Sequence, residues 1–398
     1  MLKGTIQPMP SHRITRSLLW GGIIATLLVG CSVTSTQVDT SPTVTSGTPA
    51  AGTPTASTTP GATNIPGTTP TASSGGTPLS SLSVYVGASD GYFYGVNAAT
   101  GTKRWSYQVG DEAGKPAAEN GIVYGATPSS GQVFALNNGN ILWHVTPGGG
   151  VYSRPAVDTS SGLVMVTSDN KNIYALHIND GSEAWHYTTG GTINGSLSFN
   201  NGLVFSGSGD GYVYAIHENN GSFAWKKNTG AAIEFASPTL SGSSLYIGND
   251  SGVIYSLDQA SGNINWHYQT GGQILAKPSV DNGLVFLGSN DHYLYAVHTG
   301  DGSFAWKHQL NDSVGTAIFD NGAVFVGSSD GTILALNEGN GSQQWQKKVG
   351  GLTRSWFSAT QGILYVGASD GLYALSEGSG NQQWKFMSSG FDSPTVGA

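Results

Sequence analysis

From Val84 to the C-terminus, short apolar runs alternate with turns rich in glycine, asparagine and aspartate. The alternation recurs with a period of roughly 40 residues, long enough for one supersecondary unit per repeat. The clearest runs are Val84-Tyr85-Val86, Ile122-Val123-Tyr124, Leu163-Val164-Met165-Val166, Leu203-Val204-Phe205, Leu245-Tyr246-Ile247, Leu284-Val285-Phe286, Ala323-Val324-Phe325-Val326 and Leu364-Tyr365-Val366. Runs this short and rich in β-branched and aromatic residues predict strands, not helices. A turn follows each, often Asp-Gly, as at Asp90-Gly91, Asp210-Gly211, Asp330-Gly331 and Asp370-Gly371, and glycine there accepts the positive φ of a tight hairpin. The next strand carries an aromatic, a small residue and an aliphatic, as in Tyr174-Ala175-Leu176 or Tyr214-Ala215-Ile216. A second hairpin then supplies a glycine with a tryptophan four residues later.

That pairing occurs eight times: Gly101/Trp105, Gly139/Trp143, Gly181/Trp185, Gly221/Trp225, Gly262/Trp266, Gly302/Trp306, Gly341/Trp345 and Gly380/Trp384. Successive tryptophans lie 38, 42, 40, 41, 40, 39 and 39 residues apart, the spacing of propeller blades. A weaker strand opens the later repeats, for example at Pro155-Ala156-Val157 and Pro238-Thr239-Leu240. The first repeat has none, but Ser393-Pro394-Thr395-Val396 stands unclaimed at the other end. The pattern therefore predicts an all-β, eight-bladed β-propeller of four-stranded antiparallel blades, its ring closed by the C-terminal strand completing the first blade. Closure removes the open sheet edges that invite aggregation. Each tryptophan is expected to dock one blade on its neighbour.

The segment that precedes the repeats follows another logic. Lys3, Arg13 and Arg16 precede the apolar run Leu18 to Gly30, which fits a secretory signal and is shorter than the ~20 residues a membrane-spanning helix needs. Leu28-Val29-Gly30-Cys31 resembles a bacterial lipobox, which implies acylation of Cys31, the sole cysteine. No disulfide or thiolate metal site is then possible within the chain. Residues 31–80 are nearly all Thr, Pro, Ser, Gly and Ala and cannot bury a core, so they are expected to form a disordered tether with a reach of roughly 40 Å. The expected organisation is a signal peptide (1–30), tether (31–80) and propeller (81–398), lipid-anchored and facing the extracytoplasmic side. Without residues 1–30 the chain holds 13 basic against 24 acidic residues, net −11. Such a balance argues against nucleic acid as a partner. A monomer is expected.

The sequence Tyr255-Ser256-Leu257-Asp258, leading through Gly262 to Trp266, resembles the tryptophan-docking repeat of PQQ-like, quinoprotein-type propellers. The resemblance covers the globular part in eight copies. It implies one of two functions. Pyrroloquinoline quinone (PQQ) dehydrogenases hold the quinone and Ca²⁺ in the central channel, and many carry an adjacent cysteine pair that has no counterpart here. BamB-like lipoproteins are non-catalytic and similar in size and anchoring. The expectation is a non-enzymatic scaffold for a protein or polymer ligand with no cofactor, and a PQQ/Ca-dependent oxidoreductase is the alternative. A carbohydrate- or wall-binding sensor is third, if Trp356, Tyr152 and Phe391 form an open aromatic platform.

Loops leading into the innermost strands break the repeat most and supply the candidate binding rim: Glu112, Tyr152, Arg154, Asn194, Glu234, Phe235, Lys277, Arg354, Trp356, Phe391 and Asp392, with Lys115 beside them. Charged and aromatic side chains on one rim suit a ligand or peptide site. In the quinoprotein alternative Glu234 and Asn194 would start the cation cage. Gly-x-Ser-x-Gly occurs at residues 87–91, 327–331 and 367–371, in strand–turn–strand contexts that exclude a hydrolase elbow. His177, His217 and His298 share one repeat position with Asn97, Asn137, Asp258 and Asn337, which points to local backbone bonding, not to a metal.

Overall fold

A computed structural model gives the fold; residues 77–352, 357–386 and 390–397 are described. The expected signal peptide, Cys31, most of the expected tether, Arg354 and Trp356 lie outside them. The described residues form eight four-stranded antiparallel sheets. Their innermost strands are Ala117–Glu119, Ala156–Asp158, Ser198–Asn200, Thr239–Ser241, Ser279–Asp281, Ile318–Asp320, Phe357–Thr360 and Thr395–Gly397. They lie side by side around the axis of an eight-bladed propeller. The last of them pairs with Ser83–Gly87 in the register Ser83↔Gly397, Val84↔Val396 and Tyr85↔Thr395, so the C-terminus completes the first blade.

The repeat motif has a packing cause. In every blade the small residue of the third strand sits opposite the tryptophan of the fourth, as in Ala175↔Trp185, Ala215↔Trp225 and Ala296↔Trp306, and the register slips by one residue just beyond it. That bulge sharpens the strand twist and turns the indole towards the next blade. There the ring lies on the following repeat's glycine. A Cβ added at Gly262 would stand 2.6 Å from Trp225 Cε3, and one at Gly302 2.5 Å from Trp266 Cε3. Gly139, Gly181, Gly221, Gly341, Gly380 and Gly101 meet Trp105, Trp143, Trp185, Trp306, Trp345 and Trp384 in the same way. Each indole from Trp143 onward also donates its Nε1–H to a backbone carbonyl three residues before that glycine, for example Trp225 to Gln259 O at 2.9 Å and Trp384 to Ala98 O at 3.0 Å. The Trp384 bond joins blade eight to blade one. Burying an indole is worth roughly 3–5 kcal/mol, and the contact recurs around the ring.

The second and third strands are apolar on both faces and form the core between blades, with Phe205, Phe286, Phe325 and Tyr365 almost fully buried. The outer strands alternate polar and apolar, as solvent-facing edges should. Two-residue turns such as Asn201-Gly202 (φ 50° and 74°) join first and second strands in the type I′ geometry of tight hairpins. Several second-to-third turns are tied down by an aspartate. Asp291 accepts Tyr293 N–H (3.1 Å), Tyr295 O–H (2.6 Å) and the preceding loop's Gly271 N–H (2.7 Å). Asp210 does the same with Tyr212, Tyr214 and Gly190. In the Gly-x-Ser-x-Gly turns Asp90 likewise accepts Tyr92 N–H and Tyr94 O–H, and Asp370 accepts Tyr373 O–H and Gly350 N–H, so these turns too are blade staples. At the shared histidine position, Asn97, Asp258 and Asn337 cap their hairpins through backbone N–H groups, while His177, His217 and His298 are exposed.

Candidate functional site at the channel mouth

The loops that carry the chain from an outer strand to the next inner strand share one face of the ring with the aspartate turns. One loop position lies two residues before each inner strand. Lys115, Arg154 and Lys277 all occupy that position, immediately before Pro116, Pro155 and Pro278. Repeat equivalence thus sets three cations at one level of the channel mouth. Blades four, five, seven and one have Ser196, Ser237, Thr316 and Ser393 there. The hydroxyls tie neighbouring blades: Ser196 Oγ accepts Arg154 N–H (2.9 Å), Ser237 Oγ accepts Ser196 N–H (2.8 Å), and Thr316 Oγ1 accepts Lys277 N–H (3.1 Å).

Arg154 leaves blade three, passes blade two and donates to Pro394 O (3.1 Å) and Ser393 O (3.4 Å) of blade one. Its guanidinium therefore spans part of the mouth. Burial lowers its pKa to about 10, with Asp392 opposing. Lys277, from blade six on the far side, is lowered to about 8 by burial and then by Arg154. Glu112 is raised by burial, Asp392 and Asp111. Glu112, Asp392, Arg154 and Lys277 thus form one electrostatic cluster drawn from loops far apart in sequence. Solvent-exposed Tyr152 (41%) stands on the same loop as Arg154.

The other rim candidates are placed differently. Asn194 N–H bonds Glu234 O at 3.2 Å, joining those two loops through backbone, while the Glu234 side chain is exposed and Phe235 half-buried. Phe391 is a correction: it is only 4% exposed and packs against Tyr94 and Phe386. The isolated bridge Ala88↔Phe391 pulls it into the seam beside the first blade, so it cannot form part of an open aromatic platform. The signal that sequence inspection passed over was the shared register of Lys115, Arg154 and Lys277.

A quinone-bound Ca²⁺ needs about six to eight oxygen ligands. Asn194 and Glu234 meet through backbone alone, and among the described residues no three His, Cys, Asp or Glu side chains converge as a metal group would require. The described donors do not fit that cage.

Against known proteins, residues 43–146, 129–234, 209–355 and 307–386 match the family described as outer membrane protein assembly factor BamB. The chain belongs to this family. The overlapping segments reflect the repeat, since a match can start at any blade. A curated member from Burkholderia pseudomallei is 29% identical over 105 residues, 26% of this chain and 27% of that protein. The matched stretch thus spans little more than a quarter of that relative's length. The crystal structure of BamB from Moraxella catarrhalis superposes with a TM-score of 0.63 at 18% identity, over 70% of this chain and 89% of that one. Quinohemoprotein alcohol dehydrogenase from Comamonas testosteroni gives 0.64 at 15%, over 79% and 72%. BamB and a dehydrogenase superpose about equally well, so these likenesses establish the fold alone.

Proposed function

We propose that this chain is a non-catalytic binding scaffold, tethered through a lipid on Cys31 on the extracytoplasmic side, which holds a protein partner against the loop face of its ring. The observation that carries this is the channel mouth, where Arg154, Lys277, Glu112 and Asp392 gather beside exposed Tyr152 on the face built from the most variable loops. Mixed charges with an aromatic anchor suit a polar protein surface. Membership of a family described as assembly factors for outer membrane proteins favours a protein over a polysaccharide as the occupant. So does the burial of Phe391, which removes one leg of the aromatic platform that polymer binding calls for.

The test is site-specific photo-crosslinking of the full-length protein in its own cells. A photoreactive residue at Tyr152 is expected to yield a discrete protein adduct that one at the outer-wall Phe223 does not. Equal adducts at both positions would refute a loop-face site. Stoichiometric retention of PQQ with Ca²⁺ by the purified protein would replace the scaffold with the quinoprotein.

A further inference from the structure

On the face opposite the loops, the last residue of an inner strand meets a side chain of the following blade, three residues before that blade's hairpin glycine. Four such pairs are Asp158 with Glu218, Asn200 with Gln259, Asp281 with Glu338, and Asp320 with Glu377. Glu218, Gln259, Glu338 and Glu377 are all buried, at 5–7% exposure. Each also has its backbone carbonyl held by the preceding blade's tryptophan, so the side chain cannot easily withdraw.

The amide pair shows what the position requires. Asn200 Nδ2 donates to Gln259 Oε1 at 2.9 Å, and Gln259 Nε2 donates to Gly242 O (3.2 Å) and Ser244 O (2.9 Å). Glutamine brings two N–H donors to the seam, whereas glutamate has none until it is protonated. In the carboxyl pairs Asn282 Nδ2 donates to Glu338 Oε2 (3.0 Å) and Asp281 Oδ2 (3.2 Å), Asn321 Nδ2 reaches Glu377 Oε2 (3.5 Å), and Ser161 Oγ donates to Glu218 Oε1 (3.0 Å). Oε1 of Glu338 and Oε1 of Glu377 remain buried without a donor. Asn282 Nδ2 bridges Glu338 and Asp281, and Ser161 Oγ lies against both Asp158 O (3.3 Å) and Glu218 Oε1, so each seam crowds two carboxyl groups whose ionised forms would repel.

We propose that these three seams are each closed by one proton shared between the two carboxyl groups, which makes the ring most stable in mildly acidic surroundings. The groups facing each pair agree. Asp320, Asn321 and the Tyr365 phenol, itself bonded to Ala98 O at 3.0 Å, surround Glu377. Asp281 and Asn282 face Glu338, and Asp158 and Ser161 face Glu218, with Ser160 on Asp158 and His217 lining the same opening. The ion pairs found among the described residues lie elsewhere, at Glu183, Asp330 and Asp370. Burial raises all three glutamates, with the partner aspartate adding to it, and brings Glu377 to about 7. Burial also opposes ionisation of Asp158, but hydrogen bonds from Ser160 and the Glu218 carboxyl outweigh it and hold Asp158 at about 2.

A glutamate raised above its unfolded value of 4.5 stabilises the fold fully below that pH and loses the contribution as pH climbs through the folded pKa. The lowered aspartates, Asp158, Asp330 and Asp370 among them, contribute above 3.8 and lose it as pH falls. The optimum therefore lies between about pH 3.8 and 4.5, and stability declines as pH rises from there.

The test compares thermal unfolding of the full-length protein with that of Glu338→Gln/Glu377→Gln, which copies the Gln259 seam, from pH 4 to 9. Wild type is expected to lose several degrees of Tm between pH 5 and 8, and the double variant distinctly less. Asp320→Asn, which makes the other partner neutral, tests the same seam should the double variant fold poorly, and its decline is expected to flatten too. An infrared band of protonated carboxyl present at pH 6 and reduced in Glu377→Gln would support the shared proton directly. Equal declines in all three proteins would overturn the proposal. So would a rise of Tm with added Ca²⁺ at pH 8 that the glutamine variants lack, since a metal would then hold the seam.

Discussion

Replacing Gly262 by alanine separates two reasons for the glycine before each tryptophan. Gly262 has φ of +69°, where an L-residue costs about 1–2 kcal/mol. Its new Cβ would also lie 2.6 Å from Cε3, 2.8 Å from Cδ2 and 3.0 Å from Cζ3 of Trp225. A rigid indole ring cannot yield there without sliding off the glycine, and sliding threatens its 2.9 Å bond to Gln259 O, worth about 1 kcal/mol, and part of its packing. The loss of unfolded-state freedom returns about 0.4–1 kcal/mol. The expected net destabilisation is about 2–4 kcal/mol. Gly283→Ala is the matched control, because Gly283 has φ of +79° but nothing within 4 Å of its added Cβ. It should cost only about 1 kcal/mol, the backbone term less the same return. Urea unfolding followed by near-ultraviolet circular dichroism measures both midpoints, and a drop in near-ultraviolet signal of folded Gly262→Ala would report the displaced indole. If the two substitutions shift the midpoint equally, the glycine serves its turn alone and the tryptophan contact does not require it.

Three further outcomes are expected. Deleting residues 393–398 removes the strand that pairs Val84 with Val396, exposes the edge of Ser83–Gly87 and should drive the protein into aggregates visible by light scattering. Lys277→Met removes a charge whose folded pKa of about 8 lies below its ordinary 10.5, so folding opposes that charge below pH 8; Tm at pH 7 should hold or rise, and the gain should vanish above pH 10. Cys31→Ser should shift the protein from the detergent-rich to the aqueous phase on detergent phase partition, and an unchanged distribution would refute lipid anchoring at that cysteine.

The fold was legible because its constraint is local and repeated. A tryptophan four residues after a glycine, a small residue opposite it and an Asp-Gly turn all fall within one short stretch of sequence, and eight copies remove the ambiguity of any single strand. Even ring closure was visible, since Leu82 lacked a strand before it and Val396 had one to spare. Sites spread over several blades were harder to read. Arg154 bonds Pro394 across 240 residues and Lys277 comes under Arg154 from the opposite side, contacts that only the closed ring creates. Phe391 looked like a rim aromatic because its loop departs from the repeat, yet one bridge to Ala88 turns it into the core. Asp320 and Glu377 stand in separate repeats and carried no signal in the sequence; they meet because the tryptophan fixes one blade's backbone beside the next blade's strand end. The sequence by itself determined the blade, its eightfold repetition and the staples within it, because short-range sterics and turn geometry act inside a single repeat. Tertiary structure alone decided which charges share a channel and which carboxyls share a seam, because those distances depend on the angle between blades, which belongs to the whole ring.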